Sequence, residues 1–255
     1  MKQPKCYANK YDNCIATMSK EHCLSHVILD TIDPSGLVKV VGAPWLNGKG
    51  ETISTASLAA KVLCSGHNNE LSVLDREAGR LFKAVCETEN ILLSPRKNPR
   101  HADYKFDGNL LERWCLKVLC GYAASGNFQT GNVIPPPPNW VDVVFGKAPF
   151  TEGHGMYYSW DEGQTVQTVV HHAGVFSLSK NGAVCGVRVV LGVNSFSLVM
   201  QKPDHVSRLS SNSLVPMNGY RPIGIFYTDG ISRRRLHLSW SVPGDQKVVM
   251  VSFRV

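Results

Sequence analysis

Long apolar runs are missing from this chain. No stretch approaches the roughly 18 residues that a membrane helix needs, and the first residues, MKQPKCYANKYDNC, hold no apolar segment of the secretory kind. The expectations are no membrane span, no export signal and a cytoplasmic location. Three catalytic or cofactor signatures are also absent: Gly-x-Ser-x-Gly, Gly-x4-Gly-Lys-Ser/Thr and Gly-x-Gly-x2-Gly. Serine-hydrolase, phosphate-loop and dinucleotide readings therefore have no anchor. There is no internal repeat. Charged residues are scarce, 18% against 43% hydrophobic, a balance that leaves little room for long disorder and excludes a collagen-like chain.

What is present is a 255-residue chain with a net charge of +7. That length means one large domain or two small ones. The mild basic excess is divided almost evenly between the two halves, so it permits a polyanionic partner without locating a binding face. Eight cysteines are present, seven of them before residue 121. In a reducing compartment they read as thiols and metal ligands, not as a disulfide scaffold.

The strongest punctuation is the run Pro135 to Pro138, which favours a stiff extended spacer and marks a boundary at 131–139. Before it, residues 37–42 read as a strand, 43–54 as a loop, and 55–63 as helix or strand. Leu71, Leu74, Ala78, Leu81, Phe82 and Val85 recur at helical spacing and predict a helix over 69–86. A second helix is predicted over 108–121, and a basic loop over 94–105. After the prolines, short β-branched or aromatic runs at 141–145, 155–160, 165–172, 173–179, 183–192, 195–200, 221–228, 235–242 and 247–255 alternate with turn residues. They predict a mainly antiparallel β-rich domain over 140–255.

The chemistry-bearing residues lie in three pieces: Cys6-x7-Cys14, Ser19-Lys20-Glu21-His22, and Cys64-x2-His67-Asn68 followed by Asp75. Zinc takes four soft or borderline ligands in a tetrahedron, commonly delivered as two close pairs. Cys6/Cys14 and Cys64/His67 supply such pairs, with Cys23 a nearby substitute. Read plainly, the same residues could be ordinary thiols near a turn and a capping histidine.

The order of these pieces resembles the HNH nucleases of the ββα-metal, treble-clef type: a cysteine pair, an acid-His dipeptide, a second ligand pair, then Asn on a helix. The resemblance covers about residues 5–85. It implies an α+β fold, with a zinc-bound ββα module and helical extension over 1–130. It implies a metal-dependent endonuclease acting on DNA, or less readily RNA, with a place in restriction or anti-phage defence. His22 would be the general base. Glu21, Asn68 and Asp75 would hold a catalytic Mg²⁺ or Mn²⁺, Asn68, Ser72 and Asp75 sharing one helix face. Cys6, Cys14, Cys64 and His67 would hold a structural Zn²⁺. The family's first ligands are usually two residues apart, not seven. Its loop asparagine has only Asn47 as counterpart, and Asn68 or Asn69 stands where histidine is common. The alternatives are a non-catalytic zinc-stabilised module that binds nucleic acid or protein, and a β-sandwich interaction protein.

Arg96, Lys97, Arg100, His101 and Lys105, and the triplet Arg233-Arg234-Arg235, are either nucleic-acid contacts or solvated surface charge. His171-His172 reads as structural, and Trp114, Trp140, Trp160 and Trp240 as core. Residues 140–255 could also carry an oligomer contact or bind a regulatory partner.

Overall fold

The computed structural model describes residues 3–95, 98–127, 133–159, 165–168, 171–180, 183–201, 217 and 219–254. In chain order the elements are β1 (Glu21–His22), α1 (His26–Ile32), β2 (Leu37–Val41), β3 (Gly50–Ser54), β4 (Ala59–Ala60), α2 (Ser65–Leu92), β5 (His101–Asp107), α3 (Gly108–Ser125) and α4 (Pro138–Val144). There follow β6 (Gly155–Tyr158), β7 (Thr165–Val166), β8 (Ala173–Lys180), β9 (Ala183–Leu191), β10 (Asn194–Val199), β11 (Gly219–Tyr220), β12 (Gly224–Thr228), β13 (Arg233–Ser239) and β14 (Val248–Phe253). The fold is mixed α+β. Among the described residues no helix is long and apolar enough to cross a membrane.

The chain forms two compact units, Met1–Gly79 with Arg113–Phe150, and Arg80–Glu112 with Thr151–Val255. The boundary expected at 131–139 falls inside the first of these, because α2 and α3 each give one part to each unit.

In the first unit, β1 pairs antiparallel with β4, Glu21 opposite Ala60 and His22 opposite Ala59. The β2–β3 hairpin and α1 lie between them in sequence. The segment expected as loop at 43–54 thus contains a strand, and 55–63 is a short 3-10 turn followed by β4. Helix α2 begins four residues earlier than its apolar pattern does, because the Asn68 amide already donates to the Cys64 carbonyl at 2.9 Å. Its predicted apolar stripe is buried throughout. Asp107 starts α3 by accepting the amides of Asn109 and Leu110, the usual service of an N-cap carboxylate. The stretch 141–145, expected as a strand, is mostly α4. Pro138 sits in its first turn, where a missing N–H costs nothing, and Val141, Val143 and Val144 are buried.

The second unit holds two five-stranded sheets, ordered β11-β6-β10-β9-β8 and β5-β13-β12-β14-β7. The first is antiparallel throughout. The second is mixed: β13–β5, β12–β14 and β14–β7 are parallel and β12–β13 is antiparallel, so the described strands of 140–255 pair mainly, not wholly, in the antiparallel sense expected. The second sheet also recruits β5 from the segment expected as a basic loop. Asn194 Oδ1 accepts the hydroxyls of Tyr158 at 2.8 Å and Tyr227 at 2.6 Å, which ties the inner faces of the two sheets together. A buried pair, Glu112 with Arg221, is joined by two nitrogen–oxygen contacts of 2.9 and 3.0 Å, and Glu112 also accepts the Met156 amide. Gly155 is required here: its φ is +131°, and a Cβ would stand 2.2 Å from Glu112 Oε1.

Candidate metal centre and carboxylate cluster

Four side chains from two distant segments converge in the first unit. The ligand atoms of Cys6, Cys14, Cys64 and His67 all lie within 4.8 Å of one another, and every one of these residues is at most 4% exposed. The segment holding the first two is stitched to the start of α2 by main-chain bonds, Tyr7 to Val62, Ser19 to Leu63 and Ser65 to Thr17. His67 Nδ1 stands 3.4 Å from Cys6 Sγ, 3.7 Å from Cys14 Sγ and 3.3 Å from Cys64 Sγ. A tetrahedral zinc with ordinary Zn–S and Zn–N lengths separates sulfur from nitrogen by about 3.6 Å, so the cluster has the size of that ion's coordination shell.

The surroundings agree with this. His67 Nε2 lies 2.8 Å from Asn13 Oδ1. An amide oxygen only accepts, so Nε2 carries the proton and Nδ1 keeps its lone pair toward the sulfurs. Such a second contact fixes the tautomer and orientation of a metal-bound histidine. Burial raises the Cys64 thiol, but the amides of His67 and Ile15 and the neighbouring thiols outweigh it and hold Cys64 below the ordinary cysteine value. Cys6 is instead pushed up to about 12 by burial. The cluster could hold a metal ion such as zinc, through three thiolates and a neutral imidazole. Four protein ligands close the shell, which suits a structural ion and leaves no open position for substrate. Cys23 does not join the cluster; its Sγ lies 3.8 Å from Ser125 Oγ.

A second cluster gathers the residues that the resemblance assigns to a catalytic ion. Glu21 is buried, and Asp75 partly so. Between them sits the ammonium of Lys117, 3% exposed, paired to Glu21 Oε1 and at 2.5 Å to Asp75 Oδ2. Asp75 Oδ1 accepts the Ser25 hydroxyl at 2.5 Å, and Ser25 Oγ in turn accepts Trp114 Nε1–H at 2.8 Å. Burial alone would lower Lys117, but Asp75 and Glu21 outweigh it and keep the ammonium charged above the ordinary lysine range. Asn68 donates to Ser19 Oγ at 2.9 Å, and its Oδ1 is buried without a hydrogen-bond partner. Ser72, expected on the same helix face, is exposed.

Mg²⁺ or Mn²⁺ does not fit this arrangement. The Lys117 ammonium already pairs with both carboxylates, and a divalent ion bound to the two of them would stand against its charge. Nor does His22 belong to this cluster. Its Nε2–H donates to the Thr55 carbonyl at 3.1 Å, and its ring packs on His26 at 4.8 Å. Adjacent strand residues point to opposite faces, so Glu21 turned to Lys117 leaves His22 facing elsewhere. Burial and the His26 charge hold its imidazole below the usual histidine value. Asn47 is a left-handed residue ending a 3-10 turn, with φ +48°.

The basic residues divide as well. Arg234 is buried, donating to Glu87 at 2.6 Å and to the Tyr104 hydroxyl, which corrects its assignment as a nucleic-acid contact. Arg233, Arg235 and Lys105 lie on the opposite, solvent side of the sheet. Arg100 is exposed ahead of β5, where its amide donates to Ser232 Oγ. Arg96, Lys97 and Trp160 lie outside the described residues.

Sequence reading missed Lys117, Ser25 and Asn13. Only Lys117 carried a signal: it is the one charge inside Trp114-Cys-Leu-Lys-Val-Leu-Cys120, a helical stretch otherwise apolar. Comparison with protein-family models, curated proteins and solved structures found no match to the chain.

Proposed function

We propose that this chain is a zinc-stabilised nucleic-acid-binding protein that does not cleave its ligand. In this reading β1, β4 and the start of α2 form a ββα module similar to the HNH type, pinned by Zn²⁺ on Cys6, Cys14, Cys64 and His67. One observation carries the non-cleaving part: the Lys117 ammonium pairs with both Glu21 and Asp75. A lysine charge there gives the fold the cation that the carboxylates require, and phosphodiester hydrolysis is left without an ion to polarise phosphate or activate water. Binding without cleavage accords with the +7 charge and with basic side chains gathered on one sheet face.

Hydrolysis stands as the second reading because of His22. A neutral imidazole whose Nε2–H is fixed by a main-chain carbonyl presents Nδ1 as a base. The two readings part in a cleavage assay. Full-length protein with plasmid, single-stranded DNA or RNA and Mg²⁺ or Mn²⁺ is expected to cut no faster than its His22→Ala variant. Cleavage that the variant loses restores the nuclease. Elemental analysis is expected to find one zinc per chain, and none in Cys64→Ala. Full zinc content in that variant refutes the ligand set.

A further inference from the structure

The solvent face of the sheet β5-β13-β12-β14-β7 has an unusual make-up. The strand registers set three rows across it. Asp103, Arg235, Phe226 and Met250 form one row, flanked by Lys105, His237, Gly224 and Val248 on one side and by His101, Arg233, Thr228 and Ser252 on the other. The Phe226 ring lies over Gly224, where a Cβ would come within 2.9 Å of ring atom Cε1. With no side chain beneath it, the ring can lie flat against the sheet. Arg235 sits 5.4 Å and His237 5.7 Å from its centroid. Beside it Met250 is 55% and Val248 40% exposed.

From this juxtaposition we infer that the face binds single-stranded DNA, with a base stacked on Phe226 and phosphates held by Arg233, Arg235 and Lys105. Sequence-tolerant binding of single strands combines an aromatic platform with a basic track, and both are present within three adjacent strands. Three fixed positive charges stand against Asp103, while Asp107 at the strand end is occupied in capping α3. The same excess repels a second copy of this face. The apolar neighbours favour deoxyribose, since a ribose 2′-hydroxyl laid on Met250 or Val248 would lose its water without gaining a partner. Duplex DNA keeps its bases stacked inside and offers nothing to Phe226.

The inference rests on the nucleic-acid-binding reading and is tested separately from the cleavage question. Binding of labelled 15-mers of oligo(dT), oligo(U) and duplex DNA to the full chain is followed by fluorescence anisotropy in magnesium-free buffer. Oligo(dT) is expected to bind tightest. Phe226→Ala should weaken it about tenfold. Arg233→Glu and Arg235→Glu should each reduce the log-affinity against log-salt slope by about 0.7 or more. Lys39→Glu, on the exposed hairpin of the first unit, should change affinity less than twofold. If Phe226→Ala proves unfolded by circular dichroism, the exposed Arg233→Glu variant carries the test. Unchanged affinity and slope in the folded variants overturn the inference while leaving the binding reading intact, as does a preference for duplex or oligo(U). Failure of the wild-type chain to bind any of the three probes overturns both. Cleavage of a probe on adding Mg²⁺ counts against the non-cleaving reading alone.

Discussion

Lys117 sets the chemistry of the first unit by occupying the space between two carboxylates. Taking an ammonium and a carboxylate out of water costs several kcal/mol for each, and only close pairing offsets it. Removing one partner is therefore worse than removing the group entirely. Lys117→Met is expected to destabilise the protein by about 3–5 kcal/mol, because Glu21 and Asp75 are left with no counter-charge. Adding Glu21→Gln and Asp75→Asn to Lys117→Met should recover most of that loss, and urea unfolding of the three proteins measures it. A triple variant no more stable than Lys117→Met would mean that lysine's role is packing, not charge. The cluster of Cys6, Cys14, Cys64 and His67 follows the opposite logic. Its ligands were visible in the sequence because each pair is close along the chain, Cys64 and His67 only three positions apart. Lys117 was not, because its Asp75 partner is 42 positions away and no spacing rule joins them.

At the scale of elements, α2 is the part on which the first unit is built, and its contact with α1 tolerates little. Gly79 faces Val27 so closely that a Cβ would lie 2.6 Å from Val27 Cγ1. Alanine gains about 1 kcal/mol in helix propensity but must push α1 away, and overpacking commonly costs 1–3 kcal/mol. Gly79→Ala is expected to lower stability by up to about 2 kcal/mol in thermal or urea unfolding, and Val27→Ala in the same chain to reverse its sign. A stabilising Gly79→Ala alone would show the contact to be loose. The elements also show what pattern reading can reach. Helices α2 and α3 were legible because their apolar residues keep a single period, and β12 to β14 because β-branched residues mark them. Helix α4 was hidden since Val141-Asp-Val-Val144 has strand composition, and burial after a proline start overrode that preference. Strand β5 was hidden since its outward residues His101, Asp103 and Lys105 are charged or polar and only Phe106 is fully buried. Its place comes from parallel pairing with β13, far along the chain.

Across the whole molecule, stability should carry a pH dependence to which one buried carboxyl makes a separable contribution. Glu89, in the part of α2 that belongs to the second unit, is fully buried; Oε1 accepts the Val193 amide at 2.9 Å and Oε2 has no hydrogen-bond partner. Gly192, with φ +56°, lets the β9–β10 turn come this close, since a Cβ there would fall 2.2 Å from Glu89 Oε1. Burial outweighs the Val193 hydrogen bond and raises the carboxyl from 4.5 to about 7. Between those values the folded chain keeps a proton that the unfolded chain has released. Folding stability from this group is therefore complete below about pH 4.5, falls as pH rises to 7, and levels off beyond, a span worth about 3 kcal/mol. His22 and His154, both held low by burial, act in the opposite sense, and Glu21 and Glu112, both raised by burial, act in the same sense, so the wild-type curve alone mixes them. Glu89→Gln isolates the effect, since the amide oxygen can still accept from Val193 without any charge to bury. Against wild type, the variant should be near equal in stability at pH 5 and more stable by about 2–3 kcal/mol at pH 8, measured by urea unfolding at each pH. A stability difference that stays constant from pH 5 to 8 would mean that Glu89 ionises at its ordinary value and that water reaches its second oxygen.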